Sequence, residues 1–573
     1  MTVSILQKNG PILIPLEAKS RYGLIREDSH VACWLQSSLK RVYPLSNAEG
    51  SASIELVTLR NARLSFQACV KNHRAQPLEV ECRVENAGDL EVQVRRVGYV
   101  PQGYITHDTA ESELDGTGHV PGLVPDPLFP ESKAFIRPFV NQSFWISLRV
   151  PADAEPGKHT LQVIIKGAGL EEEIRMTATV DVREAVVSGR RHFPVTHWWN
   201  ADCIFDWYKL EPFSDTFFGM LRKYLQNMYD HGNDMIYVPL LNIRREITDR
   251  PPQLLIVSEK KPGQYEFDFS RVRRFVRMAK EIGFDAFEWT HFWTYGKLID
   301  KPMPAGTPTR VYTDRGRGLE LLFPEDLVAT GDVFQHYLNQ FLPAMKRFLT
   351  EESILDRSWF HICDEPPEYP EAIESYRRAR KLLEQIDPSI KVMDAVYSDV
   401  YSAQGLVDYP IPQAPGACSY LEKGIPHGVY YCLSPQGPYI NRFFDTVLTK
   451  IRIQGLMFYK LRTLGFLHWG LNYWYHLTSL YDSECQRLLD PFTDGSAGGH
   501  TPYGDPFVVY PGPDGPIDSI RWEVFAEGLQ DYAILQALGV DPDDEGLQAI
   551  VNYREFPKSE LWFQETMLKL LTR

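Results

Sequence analysis

The sequence lacks three features that would place the chain in a membrane or an oxidising compartment. It has no run of about 18 apolar residues, the length that a helix needs to span a bilayer. Its beginning shows no basic segment followed by a continuous apolar stretch, as a secretory signal would. Its eight cysteines are scattered, and none forms a Cys-x-x-Cys pair. These absences predict a reduced, cytoplasmic protein without membrane association.

The sequence also has fewer basic than acidic residues. The chain carries 60 Lys and Arg against 75 Asp and Glu, a formal net charge of −15. Such a surface repels phosphate backbones and anionic lipid, so we expect neither nucleic acid nor a membrane as a partner. Aromatic residues are plentiful, with 12 Trp, 29 Tyr and 30 Phe. Large cores explain them, and a cleft lined by flat apolar rings is the alternative.

The hydrophobic rhythm changes near residue 185, which predicts a multidomain chain. Residues 1–185 alternate apolar and polar positions in short runs between turn residues, as in a β-sandwich. Residues 190–540 alternate short apolar runs with amphipathic helices, which predicts a (β/α)8 TIM-type barrel, and residues 541–573 predict a short helical tail packed on it. The eight predicted barrel strands are 192–199, 234–240, 284–292, 358–365, 391–398, 428–434, 465–474 and 505–512.

Helices and loops of the predicted barrel follow the same logic. Apolar residues recur on one face of the segments 269–283 and 371–387, and Gly283 can end the first of these helices. A long helix is expected over 517–538. The longest insertion, about residues 293–333, follows the third strand, where barrel enzymes build their pockets.

Two adjacent carboxylates end the fourth predicted strand, SWFHICDEPPEYP. Asp364 and Glu365 would lie at the carboxyl end of a barrel strand, which is where barrel enzymes place catalytic groups. Two such close charges cannot both ionise cheaply, so the pKa of one should rise toward the range that a general acid needs. The structural alternative is that Asp364 caps the following helix and Glu365 pairs with an arginine of Arg-Arg-Ala-Arg.

Four segments resemble glycoside hydrolase family 123 and its broader relatives, which carry a domain of unknown function numbered 4091. They are the Asp-Glu-Pro strand ending, FDFSRVRRFVRMAKEIGFD, GFLHWGLNYW and FVVYPGPDGPIDSIRWEVFAEGLQDYAIL. The resemblance covers about residues 190–540, and the preceding sandwich is also similar. It implies a retaining exo-β-N-acetylgalactosaminidase or hexosaminidase in which the substrate's own 2-acetamido oxygen attacks the anomeric carbon. Glu365 would then be the general acid/base, and Asp364 would orient the acetamido group.

Two other functions stay open from the sequence. A glycosidase of different sugar specificity would need a protein nucleophile, for which Asp394 and Glu288 are the candidates, although a structural role suits both. A non-catalytic carbohydrate-binding barrel is the other alternative, but it would have no reason to keep two mutually repelling carboxylates. The expected partner in each case is a small oligosaccharide or glycoside.

Residues near the predicted strand ends are candidates to hold a sugar, with core packing as the alternative for each. No metal or cofactor is expected, because His361 and Cys363 have no third ligand near them in sequence and the glycine-rich segment 494–506 lacks the ending of a phosphate loop. The predicted substrate-binding residues are Trp199, His291, Trp293, Tyr397, Tyr431, Trp469, Asn472 and Trp474.

Overall fold

The structure is a computed structural model that describes residues 31–168, 170–242, 250–294, 306–314, 318–324, 326–477 and 487–572. It also gives the backbone of short strands at 26–28, 297–298 and 301–302. Cys485 and parts of the long insertion lie outside these residues. Within them, no helix has both the length and the apolar composition needed to cross a bilayer.

The amino-terminal region consists of strands. Its alternating sequences form two sheets, with strand orders β1-β2-β4-β9-β6-β7 and β3-β11-β10-β5-β8. All pairings are antiparallel except that of β11 with β3. The strands are β1 (Arg26–Asp28), β2 (Val31–Ser37), β3 (Ser53–Arg60), β4 (Arg63–Asn72), β5 (Leu78–Glu85), β6 (Glu91–Gln102), β7 (Gly122–Phe129), β8 (Lys133–Ile136), β9 (Asn141–Arg149), β10 (Gly157–Ala168) and β11 (Ile174–Val186).

One apolar core joins the two sheets. Phe66 and Phe144 contribute to it from one sheet, and Val163 and Met176 contribute from the other. Their neighbours along each strand point the other way, since successive side chains of a strand alternate between faces. Burial of one face per sheet is therefore what holds this all-β region together.

Strands and helices alternate after residue 190. In chain order they are β12 (Val195–His197), α1 (Ala201–Tyr208), α2 (Asp215–Asp230), β13 (Met235–Val238), β14 (Ile256–Lys261), β15 (Gln264–Asp268), α3 (Ser270–Ile282), β16 (Ala286–Trp289), β17 (Trp293–Thr294), β18 (Lys297–Leu298), β19 (Lys301–Pro302), β20 (Thr307–Pro308), β21 (Tyr312–Asp314), β22 (Leu319–Leu321), α4 (Asp332–Glu351), β23 (Ser358–Phe360), α5 (Pro370–Ile386), β24 (Met393–Val396), β25 (Tyr409–Pro412), α6 (Ala414–Lys423), β26 (Val429–Tyr430), α7 (Leu448–Arg452), α8 (Gln454–Lys460), β27 (Phe466–His468), β28 (Val509–Gly512), β29 (Gly515–Asp518), α9 (Ile520–Ala537) and α10 (Glu560–Leu571).

Eight of these strands are joined in parallel and in chain order. Strand β13 pairs with β16 and β16 with β23, while β24 pairs with β25 and β26 with β27. Single parallel bridges link Phe360 to Val392 and Gln413 to Tyr430, which connects these groups. Strand β27 pairs back with β12, which lies beside β13. The carboxyl ends of all eight strands consequently face the same side.

One of the eight predicted barrel strands needs correction, and one strand of the parallel set was not predicted. The segment 505–512 contains β28, which pairs antiparallel with β29 in a hairpin and not with the parallel strands. Its place in the parallel set belongs to β25, which the sequence analysis missed because Pro410 and Pro412 argue against a strand. Strand β25 also follows β24 without an intervening α-helix, since residues 397–408 contain only a short 3-10 turn at Ser402–Gln404.

The predicted helices are present. Helix α3 buries Val272, Phe275 and Val276. It is followed by Gly283, whose φ of +126° is a conformation that glycine adopts readily and other residues rarely do. Helix α9 begins at the cap residue Ser519, whose hydroxyl accepts the backbone N–H of Trp522, and is buried on nearly every side. Helix α10 packs against β3 of the all-β region, and its Phe563 also contacts Arg452. The tail therefore does not contact the region of alternating strands and helices alone.

Candidate active site

A pocket of about 330 Å³ opens at the carboxyl ends of the parallel strands. Residues directly after β12, β16 and β23 line it, together with the last residue of β26 and residues in and after β27. Charged lining residues in the part of the chain that the structure describes are Asp202, Asp364 and Glu365. The pocket is therefore acidic and aromatic. Its lining includes Trp198, Trp199, Tyr237, His291, Trp293, Tyr430, Trp469 and Tyr473.

The pair predicted to be catalytic stands at the mouth of this pocket. Asp364 is exposed to it, and Glu365 is half-buried. Glu365 has a φ of +43°, a left-handed conformation that few non-glycine residues adopt. Its backbone N–H donates to the carbonyl of Ala395 at 3.1 Å. The turn thereby brings two neighbouring side chains of one strand end into the same cavity.

Two tyrosine hydroxyls hold the Glu365 carboxylate. Tyr397 donates to Oε2 at 2.6 Å and Tyr430 donates to Oε1 at 2.5 Å. The structural alternative for the pair is wrong: Tyr369 is the cap residue of α5, and Asp364 makes no capping bond there. The nearby arginines, Arg377, Arg378 and Arg380, pair with other acidic side chains.

The surroundings of the pair raise the pKa of Asp364. The side chain of Asp364 faces the pocket, but the protein that surrounds it keeps it from full hydration. This desolvation raises the pKa of Asp364 well above its ordinary value, and the adjacent charge of Glu365 raises it further. The charge on His361 acts in the opposite direction without cancelling these effects. The pair can therefore keep a proton at a pH where an ordinary carboxyl group has lost it.

Below the pair lies an ion triad formed by Glu288, His361 and Asp394, all of which are fully buried. His361 Nε2 is 2.7 Å from a Glu288 oxygen, and Nδ1 is 2.9 Å from an Asp394 oxygen. Burial lowers the pKa of His361, but the hydrogen bonds and charges of the two carboxylates outweigh burial and raise it to about 9. Neither carboxylate reaches the pocket, so neither is placed to attack a substrate.

Four aromatic residues of the pocket come from three strand ends. The indole of Trp198 donates to Glu288 at 2.5 Å, and that of Trp199 donates to the carbonyl of Tyr237 at 2.9 Å. Trp469 is partly exposed in the pocket and donates to Asp505 at 3.1 Å. Trp293 is buried at its edge. Indoles held in this way present flat apolar faces of the kind that bind sugar rings.

The sequence of residues 198–538, more than half of the chain, matches the family model for the catalytic domain of glycoside hydrolase 123. The chain belongs to glycoside hydrolase family 123. It is therefore a glycosidase, and its matched region contains the whole described lining of the pocket.

Structural comparison agrees with this family. A family 123 glycoside hydrolase from Clostridium perfringens, described in connection with glycolipid glycan hydrolysis, is similar at a TM-score of 0.72 and 15% identity, over 95% of this chain and 97% of that one. A likeness at that identity shows the fold alone. A β-glucuronidase from Parabacteroides merdae (TM-score 0.30, 11% identity, 87% of this chain and 51% of that one) is too distant to support an argument. Among curated proteins, no sequence matches.

Four predicted substrate-binding residues of this family 123 enzyme are not among the residues that line the pocket. Trp474 is buried against Trp207 and Tyr224, so a pocket wall is the wrong assignment for it. Asn472 is also buried, and its amide makes two hydrogen bonds with the backbone of Asn200, at 2.8 and 3.1 Å. Both predictions fail because β27 ends at His468, earlier than the sequence suggested.

Tyr431 is the third, and its neighbour Tyr430 is the residue that was missed. Tyr431 is fully buried and donates to Gln454 at 2.9 Å, whereas Tyr430 points to Glu365. Alternation along a strand sends neighbours to opposite faces, but the sequence did not reveal which of two adjacent tyrosines faces inward. Tyr397 is the fourth: it does not line the pocket, but its hydroxyl donates to Glu365, and its contact with substrate stays a prediction.

The other predicted residues, Trp199, His291, Trp293 and Trp469, do line the pocket. His291 stacks on His361 with ring centroids 4.2 Å apart, and burial together with the charge of His361 lowers the pKa of His291 well below its usual value. Its neutral ring has an Nε2 without a hydrogen-bond partner.

Two clusters have residue types that could hold a metal ion. In the first, ligand atoms of His291, His361 and Asp394 lie within 4.8 Å of one another, but both nitrogens of His361 are taken by carboxylates. The second contains Asp518 and Glu523, and Arg95 already bridges these two carboxylates. In each cluster, contacts within the protein already use atoms that would have to bind the metal.

Proposed function

We propose that this family 123 enzyme is a retaining exo-β-N-acetylhexosaminidase, with N-acetylgalactosamine as the favoured sugar, that works by substrate assistance. The observation that carries the proposal is the placement of Asp364 and Glu365 side by side in an acidic, indole-lined pocket. The family resemblance of the Asp-Glu-Pro strand ending supports the same roles. Short oligosaccharides or glycosides, including glycans of the kind found on glycolipids, are the proposed substrates.

The proposed reaction has two steps. The acetamido oxygen of the substrate forms a bond to the anomeric carbon as the bond to the leaving group breaks, and Glu365 gives its proton to the departing oxygen. Asp364 accepts the amide N–H and stabilises the positive charge of the cyclic intermediate. Water then attacks the anomeric carbon as the bond from this carbon to the acetamido oxygen breaks and the acetamido group is restored. Glu365 takes a proton from the attacking water, and the two inversions give net retention.

The charges of the free pocket suit this order of events. The raised pKa of Asp364 reflects a pair that keeps one proton. An amide N–H beside Asp364, and the positive charge that develops next to it, both favour the ionised form of this carboxylate. Substrate binding would therefore leave the single proton on Glu365, where the leaving group needs it.

We propose that the eight parallel strands form a (β/α)8 barrel. Their pairing in chain order, with β27 returning to β12, supports this architecture. The domain bounds 1–185, 190–540 and 541–573 and the cytoplasmic location stay predictions.

A protein nucleophile is the alternative to substrate assistance. Glu288 and Asp394 are poor candidates because both are fully buried and occupied by hydrogen bonds in the ion triad. Asp202 is the remaining carboxylate of the described lining. A glycosidase of different specificity would therefore have to use Asp202, whereas the non-catalytic alternative does not fit a family of hydrolases with both carboxylates in place.

Leaving-group dependence tests the roles of the pair. Glu365→Gln should lower kcat about 100- to 10,000-fold on a substrate with a poor leaving group, since general acid catalysis contributes about that much. An activated aryl leaving group needs little protonation and should lose less. Asp364→Asn should slow both substrates alike, because cyclisation accompanies departure of either group. An equal loss for both substrates in Glu365→Gln would contradict its role as the acid.

A thiazoline mimic of the cyclic intermediate tests the mechanism itself. It should inhibit competitively and bind tighter than the product sugar, because the site stabilises the species that it resembles. Matched aryl glycosides with a 2-acetamido or a 2-hydroxy group provide the control, and only the former should react. Equal hydrolysis of both, no thiazoline inhibition and complete inactivity of Asp202→Asn would together assign the nucleophile to Asp202.

A further inference from the structure

The hydrogen bonds around the ion triad favour one arrangement of its protons. Glu288 accepts the indole N–H of Trp198 on one oxygen and the hydroxyl of Thr196 on the other, at 2.5 and 2.6 Å. Because an indole nitrogen can only donate, Glu288 acts as an acceptor. Both Glu288 oxygens already accept hydrogen bonds, which favours an ionised Glu288 to which His361 donates through Nε2, 2.7 Å away.

The opposite side of His361 gives the same answer. One Asp394 oxygen accepts the hydroxyl of Tyr376 at 2.5 Å and the backbone N–H groups of Ile362 and Cys363 at 3.1 and 3.3 Å. The other oxygen faces Nδ1 of His361 at 2.9 Å. An imidazole that donates from both nitrogens is a cation. The triad therefore has two negative charges and one positive charge in a region without solvent.

The triad forms hydrogen bonds with the backbone just before Asp364 and with a residue that lines the pocket. Asp394 holds the N–H groups of the two residues immediately before Asp364. The next residue along its strand, Ala395, accepts the N–H of Glu365 at 3.1 Å. Glu288 holds the indole of Trp198, which lines the pocket. One charged unit thus fixes the backbone on both sides of Asp364 and one pocket wall.

We propose that His361 is a permanently charged positioning residue whose imidazolium binds Glu288 to Asp394 and so holds Asp364, Glu365 and Trp198 in their reactive arrangement. Its charge offsets two carboxylates that would otherwise repel each other beneath the active site. This role rests on the proposed function only in that Asp364 and Glu365 are taken as the reactive pair. The triad itself never contacts the substrate.

The groups that face His361 set the conditions for a test. Glu288 and Asp394 face its two nitrogens, His291 stacks on its ring, and Asp364 lies within electrostatic range on the same strand ending. Trp198 packs edge-on against it. The raised pKa of His361, about 9, agrees with the charge assigned from the hydrogen bonds.

The first experiment follows the protonation of His361 directly, without using activity. In the full chain labelled with ¹⁵N-histidine, one imidazole should remain doubly protonated as the pH rises from about 6 to about 8.5. That signal should vanish in His361→Gln and persist in the control His336→Gln, which removes an exposed histidine. A His361 signal that is neutral at about pH 7.5, or one that shifts when zinc is added to the purified protein, would overturn the proposal.

The second experiment measures what the charge does. His361→Gln should lower kcat on the order of 100-fold, since small misplacements of reacting groups cost about that much, while KM changes far less. Asp394→Asn keeps the shape of the triad, so it covers the case in which His361→Gln fails to fold. It should also lower kcat and let His361 lose its proton at a lower pH. Wild-type kcat in either folded variant would contradict the positioning role.

The two proposals can fail separately. Thiazoline binding reports on substrate assistance. In Asp394→Asn it should weaken but stay competitive, because Asp364 and Glu365 are still present although they are held less firmly. Loss of thiazoline inhibition in the wild-type enzyme would remove the mechanism and leave the imidazolium signal as it is. A neutral His361 in an enzyme that thiazoline still inhibits would remove only the positioning role.

Discussion

Glu365 adopts a backbone conformation that the rest of the site must hold in place. Its left-handed φ is disfavoured for a residue with a side chain, and conformations of this kind cost on the order of 1–3 kcal/mol. The hydroxyls of Tyr397 and Tyr430 and the carbonyl of Ala395 oppose that cost by binding its side chain and its N–H. The strained turn is what lets adjacent residues of one strand ending face one cavity.

A matched pair of tyrosines tests this arrangement. Tyr430→Phe should lower kcat about 10- to 100-fold, because a hydrogen bond to a charged group is worth roughly 1.5–3 kcal/mol. Tyr431→Phe, at the next residue of the chain, removes a hydroxyl that donates to Gln454 away from the pocket. It should leave kcat within about threefold of the wild-type value. Equal effects in the two variants, measured on the same glycoside, would contradict the role of Tyr430.

The pocket wall at Trp469 should respond to pH. Burial raises the pKa of Asp505 to about 7, while the indole N–H of Trp469 and the charges of Arg442 and Arg521 act to lower it. Above about pH 7 Asp505 is charged and holds the indole firmly, and below it the carboxyl binds a proton and the hydrogen bond weakens. We expect KM to rise about three- to tenfold between about pH 8 and about pH 6.

Two variants isolate this contribution to KM. Asp505→Asn cannot titrate, and Trp469→Phe has no N–H to donate, so each should remove most of the rise in KM. A rise of the same size in Asp505→Asn would assign the pH dependence to another group.

Residues next to a strong local signal were the predictable part of the site. Asp364 and Glu365 stood out because two charges and two prolines ended an apolar run. Tyr430 and Asp505 carried no such signal, since their positions depend on the phase of a two-residue strand and on a long connection after β27. Such placements are set by tertiary packing and not by local sequence.

The elements follow the same division. Helices α3 and α5 were predictable because their apolar faces repeat over several turns. Strand β25 was not predictable, because it has only four residues and two of them, Pro410 and Pro412, are prolines, which argue against a strand. The apolar run at 505–512 gave a strand of the expected type in an unexpected hairpin, since periodicity does not reveal the partner.

The crossing of α8 and α9 depends on two glycines. A Cβ at Gly455 would lie 1.7 Å from the carbonyl oxygen of Gly528, and a Cβ at Gly528 would lie 2.6 Å from that of Arg452. Because both contacts are with backbone, no side chain can move aside. Gly455→Ala should therefore lower the free energy of unfolding by at least about 2 kcal/mol, as overpacking of a tight core does.

An exposed helical glycine is the matched control for this crossing. A Cβ at Gly219, in α2, would meet nothing within 4 Å. Gly219→Ala should raise the free energy of unfolding by about 0.5–1 kcal/mol, because alanine suits a helix better than glycine. Urea unfolding of both variants measures the difference, and a neutral Gly455→Ala would show that the helices can separate without cost.

At the scale of the whole molecule, the all-β region and the catalytic region are joined by buried charge. Asp126 of β7 accepts two hydrogen bonds from Arg521 of α9, both at 3.0 Å, and both side chains are fully buried. Tyr510 donates to the same carboxylate at 2.7 Å. On the neighbouring strand β6, Arg95 pairs with Asp518 and Glu523. Each region thus contributes buried charges whose counterions lie in the other region.

Breaking this interface should destabilise both regions together. Asp126→Asn leaves the Arg521 guanidinium buried without its counterion, and such a loss typically costs 3–5 kcal/mol. We expect the urea midpoints for loss of hydrolytic activity and for loss of β-sheet signal to fall in parallel. Glu173→Ala, which breaks exposed pairs with Arg83 and Arg175, should cost less than about 1 kcal/mol.

The joint substitution Asp126→Leu and Arg521→Met removes both charges and should recover part of the loss, because apolar groups can replace a buried pair. If activity were lost well before the sheet signal in Asp126→Asn, the two regions would unfold independently and the shared interface would not be what holds the catalytic strands in place.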